Sequence, residues 1–323
     1  MAPLRLASGS ERPTPHMGLG LRHCLRGGRM DILAQLLVNG IIAGGTYALA
    51  AIGYSMVYSI LKFINFAHGS VAMVGAYIVF GLTVTVLRLP IGLAFLISMI
   101  LTGLLGVLIE KAAYKPLRNA PKLAPLTTAI AVSFVLDAVV MMVAGTDIKT
   151  YDVKYQTYAI GPIYITSVQI LIIAASLFFM LALYFLLTRT KLGKAIRAVA
   201  DDLSMAEVAG INADLVISSV FFIGSALAAA SGILIGLDTN LQPTMGFNIT
   251  VKAFAAVVLG GLGNVYGAIA GAFVIGIVEN LGVWYIPPVW KDSIAYGILI
   301  LVLLFRPAGI FGSKEQPSSG VLQ

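Results

Sequence analysis

A single cysteine, Cys24, and three histidines, at positions 16, 23 and 68, are all that this 323-residue chain offers to redox or metal chemistry. One thiol forms no internal disulfide, and histidines so scattered make no metal cluster. Charge is scarce as well, at 11% of residues. No Gly-x-x-x-x-Gly-Lys-Ser/Thr loop occurs. The nearest candidate, Gly193-Lys194-Ala195, lacks both the first glycine and the hydroxyl, so the chain has no means of hydrolysing ATP by itself. A Gly-x-Ser-x-Gly elbow and a His-Glu-x-x-His helix are missing too, which leaves an intramembrane hydrolase without a motif. No residue is assigned a catalytic role.

What the chain has is apolar surface. Hydrophobic residues make up 59% of it and the mean hydropathy is +0.95, far above soluble domains. The fold expected is all-α: a polytopic transmembrane bundle forming one domain over 30–312. Residues 1–29, with Arg5, Arg12, Arg22, Arg26 and Arg29 but no apolar run, are too polar for a signal peptide. They are expected to be a disordered or non-native extension before Met30, and 313–323 a cytoplasmic tail. The net charge of +7 does not point to nucleic acid, because the basic residues concentrate between the apolar stretches, where they orient the spans.

Stretches long enough to cross a bilayer, about 20 residues each, fall at 33–60, 66–88, 91–110, 124–144, 167–188, 214–237 and 289–305. Residues 249–281 form a further apolar region broken by Gly260-Gly261-Leu262-Gly263-Asn264, read as two spans or half-spans hinged on Gly260, Gly261 and Gly263. The total is eight or nine. Loop 111–122, with Lys111, Lys115, Arg118 and Lys122, and loop 189–202, with Arg189, Lys191, Lys194 and Arg197, face the cytoplasm by the positive-inside rule. Loop 145–166 balances Asp147 and Asp152 against Lys149 and Lys154 and lies one span from each, so it is external. Counting back puts the start of the first span outside, and counting forward leaves Arg306 inside.

Residues 33–110 and 214–281 each open with a Gly/Ala-rich span followed by a polar interruption, Asn65-Phe66-Ala67-His68-Gly69 in one and Gly246-Phe247-Asn248 in the other. By the parity above their first spans run in opposite directions. Inverted repeats with polar breaks mark transporter folds whose substrate path lies between the repeats; the alternative is a likeness of composition alone. Candidate path residues are Asn39, Tyr47, Asn65, His68, Asn248 and Lys252. Broken helix ends at Asn65 and His68 would offer backbone N–H and C=O groups to a zwitterion, unless the segment is only a capping turn. Lys252 either snorkels to the headgroups or faces an internal path. Asp137 and Glu279 are intramembrane acids, and such acids need partners. Gly103-x-x-Gly106 and Gly267-x-x-x-Gly271 read as helix-packing contacts.

Residues 192–212 stand apart. Lys194, Arg197, Asp201, Asp202 and Glu207 would each cost a few kcal/mol in hydrocarbon, so the segment lies outside the bilayer. Ala195, Val199, Leu203 and Ala206 recur opposite that charge, which predicts a short helix, a turn near Asp201-Asp202 and a second short helix ending at Gly210. Such an element either docks a soluble partner or rests on the membrane surface.

Several motifs then occur in order: Asn39-Gly40 through Tyr58; Phe63-Ile64-Asn65-Phe66-Ala67-His68-Gly69; Arg197-Ala198-Val199-Ala200-Asp201-Asp202 leading to Gly210-Ile211-Asn212; Lys252-Ala253-Phe254 through Gly263-Asn264; and Arg306-Pro307-Ala308-Gly309-Ile310-Phe311-Gly312. Together they resemble the permease subunit of bacterial branched-chain amino acid ABC importers, over essentially 30–312. The resemblance implies a multi-pass subunit of the bacterial inner membrane. Its partners would be a second, homologous permease, two cytoplasmic ATPase subunits that hold ATP and Mg, and a periplasmic substrate-binding protein. No cofactor would be bound by this chain. Lys194, Arg197, Asp201, Asp202, Glu207 and Gly210 would form the coupling element against the ATPase. The cargo implied is leucine, isoleucine and valine, with urea, short amides or other amino acids as alternatives, and a stand-alone secondary transporter as a competing mechanism.

Overall fold

The computed structural model describes residues 17–311 apart from 86, 119, 122, 152, 154 and 307, with side chains from residue 30 onward except that of residue 85. Lys122, Asp152, Lys154, Pro307, residues 1–16 and the 313–323 tail lie outside the described residues. Eleven α-helices follow one another: α1 (Met17–Leu61), α2 (Ala67–Phe80), α3 (Ile91–Ile109), α4 (Leu123–Ala144), α5 (Ser167–Arg189), α6 (Lys191–Asp201), α7 (Leu203–Val208), α8 (Ala213–Asp238), α9 (Met245–Gly260), α10 (Val265–Gly282) and α11 (Lys291–Phe305). The backbone of α1 is helical from Met17, so part of the segment expected outside the fold continues the first helix. A two-stranded hairpin, β1 (Thr157–Ile160) and β2 (Ile163–Thr166), pairs antiparallel between α4 and α5.

Among the described residues eight helical segments are long and apolar enough to cross a membrane. The glycine-broken region resolves into α9 and α10. At 16 residues, α9 extends about 24 Å, short of the roughly 30 Å hydrocarbon core. Gly260 ends it, Gly261 and Gly263 take positive φ (109° and 83°), and Asn264 caps α10 through Gly267 N–H. The C-terminal motif seals this turn: Ile310 and Phe311 N–H donate to the Leu259 and Gly260 carbonyls.

In hydrocarbon, burying a leucine against another helix gains little over lipid, so close packing of small residues does the associating. The two helices that open the proposed repeats cross where Gly53 of α1 meets Gly224 of α8, and those that follow cross where Gly69 of α2 meets Gly246 of α9. A Cβ on Gly53 would lie 2.6 Å from the Gly224 carbonyl oxygen, and one on Gly69 2.0 Å from that of Gly246. The equivalence extends outward, since α3 packs on α8 as α10 packs on α1. The two polar interruptions read from the sequence are therefore in direct contact at the centre. The middle of α8 is fully buried, with Ala228, Ala229, Ala230, Ile233 and Leu234 at its core, while α4 and α11 lie on the outside with Phe134, Met142, Val143, Leu304 and Phe305 exposed.

Both sides of the bilayer can be told from α8, whose 26 residues span about 39 Å. At its first turn Asp214 pairs with Lys115 at 2.7 Å and with Arg118, which also pairs with buried Glu110. Ser218 donates to the second Glu110 oxygen at 2.9 Å. Beyond its last turn Leu241 exchanges backbone hydrogen bonds with Lys149, and the Gln35 side chain of α1 bonds the Tyr164 backbone of the hairpin. The basic loops thus lie at one end, and loop 145–166 and the start of the α1 span at the other, as the charge count requires. Tyr151 anchors loop 145–166 by donating to the Ala76 carbonyl at 2.8 Å; burial pushes its phenol well up.

Candidate functional site: a polar cavity and a helical elbow

Lys252, in the middle of α9, turns inward and does not snorkel. Its ammonium lies 2.9 Å from the Tyr47 hydroxyl of α1, 3.2 Å from Glu279 Oε1 of α10 and 2.7 Å from Asp292 Oδ1 of α11. Tyr47 in turn donates to Glu279 Oε2 at 2.9 Å. Glu279 is fully buried and Lys252 nearly so. An acid at this depth is tolerable only with a charged partner and hydrogen bonds; Tyr47 of α1 and Lys252 of α9 supply both to Oε2, while Oε1 has only the ion-pair contact with Lys252. Lys291 at the start of α11 adds a second ammonium, hydrogen-bonded to Asn280 Oδ1 at 3.3 Å.

The network borders a cavity of about 310 Å³ beside the end of α8 opposite the basic loops, lined by Thr239, Asn240, Gln242, Asn248, Lys252, Lys291 and Asp292 among others, with Ile235, Met245 and Ile249 as its apolar wall. Asn248 is exposed and accepts from Tyr296 at 3.2 Å. Three of the six candidate path residues, Tyr47, Asn248 and Lys252, therefore belong to one site.

The other three do not join it. Asn39 bonds Gln35 one turn away on α1. Asn65 closes the turn between α1 and α2: its Oδ1 accepts from Ala67 N–H at 3.1 Å and from the Tyr114 hydroxyl at 2.9 Å, and its carbonyl accepts from His68 N–H. Gly69 N–H goes to Thr250 Oγ1 at 3.0 Å. The backbone donors expected to be free for a zwitterion are thus occupied. His68 is buried with Nε2 3.1 Å from the Ala50 carbonyl and its ring edge-on to Tyr54. The void beside it, about 10 Å³, holds no ligand larger than a water. Asp137 meets the Ser70 hydroxyl across α2 and α4.

At the end that carries the basic loops α6 and α7 form an elbow. Thr190 caps α6 through Gly193 N–H, and Asp202 caps α7 by accepting from Met205 N–H at 3.0 Å and from Ser204 at 2.7 Å. Those two bonds hold the Asp202 carboxyl below the usual carboxylate range. Gly210 closes the elbow with φ +83°. Lys194, Arg197, Asp201, Asp202, Glu207 and Gly210 all face solvent, and Arg197 also donates back to the Leu187 carbonyl of α5. The buried face is Gly193, Ile196, Val199 and Ala206. The expected stripe is corrected here: Ala195 lies off the Gly193, Ile196 and Val199 stripe of α6 and is only half-buried, and Leu203 is exposed because the extended backbone at Asp202 resets the helical phase before α7. Leu203, Met205 and Val208 present apolar surface outward.

Sequence reasoning missed Lys291, Asp292 and the Glu110–Arg118–Asp214 cluster. The first two are charges at the edge of a span, which carry no signal of their own until the fold sets them against Asn280 and Lys252. Among the described residues no three His, Cys, Asp or Glu side chains come together as metal ligands.

Residues 36–303 match the family model described as branched-chain amino acid transport system, permease component. The chain is 41% identical over 296 residues to the high-affinity branched-chain amino acid transport system permease protein BraD of Pseudomonas aeruginosa, covering 87% of this chain and 96% of that one. It is 38% identical over 295 residues to the corresponding LivH protein of Escherichia coli, again covering 87% and 96%. A more distant likeness, 28% over 266 residues, joins it to the ribose import permease protein RbsC of Haemophilus influenzae, covering 78% and 76%.

Proposed function

Because the chain belongs to the family of permease components of branched-chain amino acid transport systems, we propose that it is the membrane subunit of an ATP-driven importer carrying leucine, isoleucine and valine across the bacterial inner membrane. The similarity to high-affinity permeases along nearly their whole length carries this reading. The machine comprises this chain, a second homologous permease, two ATPase subunits binding ATP and Mg, and a periplasmic binding protein. The α6–α7 elbow is where the ATPase docks, with Met205 and Val208 as apolar anchors ringed by Lys194, Arg197, Asp201, Asp202 and Glu207.

A push on the elbow reaches the core by packed contacts. α6 rests on α5, α8 and α1, and Gly193 lies so close to the Leu186 and Leu187 carbonyls that a Cβ there would clash at 2.4 and 2.3 Å. Movement of α6 therefore drags α5 and α8, and α8 carries the crossing with α1 that separates the two halves. Rocking one repeat against the other opens the path alternately to each side. The work comes from ATP bound by the partner.

The test is co-purification with the products of neighbouring genes, followed by ATPase assay with and without leucine-loaded binding protein. Leucine-dependent stimulation supports the importer and its cargo together. An absent ATPase partner favours a stand-alone transporter, and stimulation by urea or an amide alone changes the cargo.

A further inference from the structure

We propose that the cavity between α8, α9 and α11 is a recognition site for the zwitterionic end of a free α-amino acid, with Lys291 taking the carboxylate and Asp292 the ammonium. The proposal deepens the importer reading and rests on it.

The charges are arranged for a ligand carrying both signs. Lys252 pairs with Glu279 and Asp292, and Lys291 stands near Asp292 and Asp238, so the cavity wall offers both an ammonium and carboxylates to a ligand. The partners are unequally committed. Lys252 and Glu279 are buried and occupied by each other and by Tyr47, which makes them a fixed base. Lys291 makes one hydrogen bond, to the neutral amide of Asn280, so its remaining N–H donors are open to a carboxylate. The Asp292 side chain is 45% exposed and meets Lys252 through one oxygen, Oδ1. Its other oxygen can accept from an ammonium.

Size and lining fit the same ligand. The cavity, about 310 Å³, is at the small end of the roughly 300–1,000 Å³ of ligand sites, which suits an amino acid better than a peptide. Ile235, Met245 and Ile249 form an apolar wall for an aliphatic side chain, and exposed Asn240 and Gln242 flank the mouth. The mouth lies at the end of α8 opposite the basic loops, the side from which an imported substrate arrives.

The test uses the full-length chain in proteoliposomes, with Cys24→Ser and Gln242→Cys, and follows modification of the new thiol by a membrane-impermeant methanethiosulfonate. Leucine at millimolar concentration is expected to slow modification. Leucinamide, which lacks the carboxylate, and 4-methylpentanoate, which lacks the amine, are expected to protect about tenfold less well, the worth of one charge-assisted hydrogen bond. Lys291→Met should abolish leucine protection while Lys291→Arg keeps it, and the unliganded labelling rate of both variants reports an intact mouth. Absence of leucine protection, equal protection by all three compounds, or protection surviving Lys291→Met overturns the proposal. Labelling needs neither ATP nor partners, so its failure leaves the ATPase test of the importer standing, and failure of that test leaves the labelling result unaffected.

Discussion

Lys252 is the cation paired directly with Glu279, so removing it leaves a fully buried carboxylate without its ion-pair partner. Breaking a buried pair from one side costs about 3–5 kcal/mol, whereas replacing both partners with neutral groups is often harmless. Lys252→Met is therefore expected to lower the thermal stability of the detergent-solubilised protein sharply, and Lys252→Met with Glu279→Gln to recover most of it. A double variant no more stable than the single one would mean that the pair is not the stabilising unit. The acid was legible in the sequence as a group in need of a partner, and Lys252 as a lysine with two possible directions. Lys291 and Asp292 were not legible, since charges at the edge of a span are ordinary and only the folded chain brings them against Asn280 and Lys252. Asn65 and His68 stood out by polarity alone; the structure uses that polarity to close a turn and fill the core.

On the scale of elements, the α6–α7 elbow was read closely from the sequence: two short helices, a turn at Asp201-Asp202 and a stop at Gly210. Its phase was not, because a periodicity carried through residue 202 ignores the extended backbone that Asp202 adopts to cap α7. That cap separates two roles of one residue. Asp202→Asn keeps a side-chain oxygen for Met205 N–H and loses the charge, while Asp202→Ala loses both. If the ATPase reads the shape of the elbow, uptake coupled to ATP hydrolysis survives in Asp202→Asn and falls in Asp202→Ala; equal loss in both would make the charge itself the contact. Gly210→Pro is expected to uncouple hydrolysis from uptake without preventing insertion, since proline cannot adopt φ +83° and removes the bond from Gly210 N–H to the Glu207 carbonyl. Glu207→Lys tests the charge of the same surface, and wild-type coupling in both variants would refute the docking role.

For the whole molecule, the all-α bundle, the glycine-broken pair and the orientation of the loops followed from hydropathy and Lys/Arg placement, quantities that hydrocarbon enforces at every position. The contact between the two polar interruptions did not follow, because nothing along the chain says that Gly69 and Gly246 touch. Gly69→Val or Gly246→Val is expected to abolish the folded bundle, seen as loss of a monodisperse peak in detergent, since each Cβ would meet backbone atoms of the other helix at 2.0–2.8 Å; the same substitution at Gly297, which has open space around it, serves as the control. The account as a whole rests on this chain conducting amino acid only when a partner spends ATP. Leucine uptake into proteoliposomes holding the co-purified complex, with leucine-loaded binding protein outside and ATP or no nucleotide sealed within, measures that directly. Uptake that requires ATP inside and binding protein outside is the predicted result; leucine accumulation by the purified chain alone, indifferent to ATP, would contradict it.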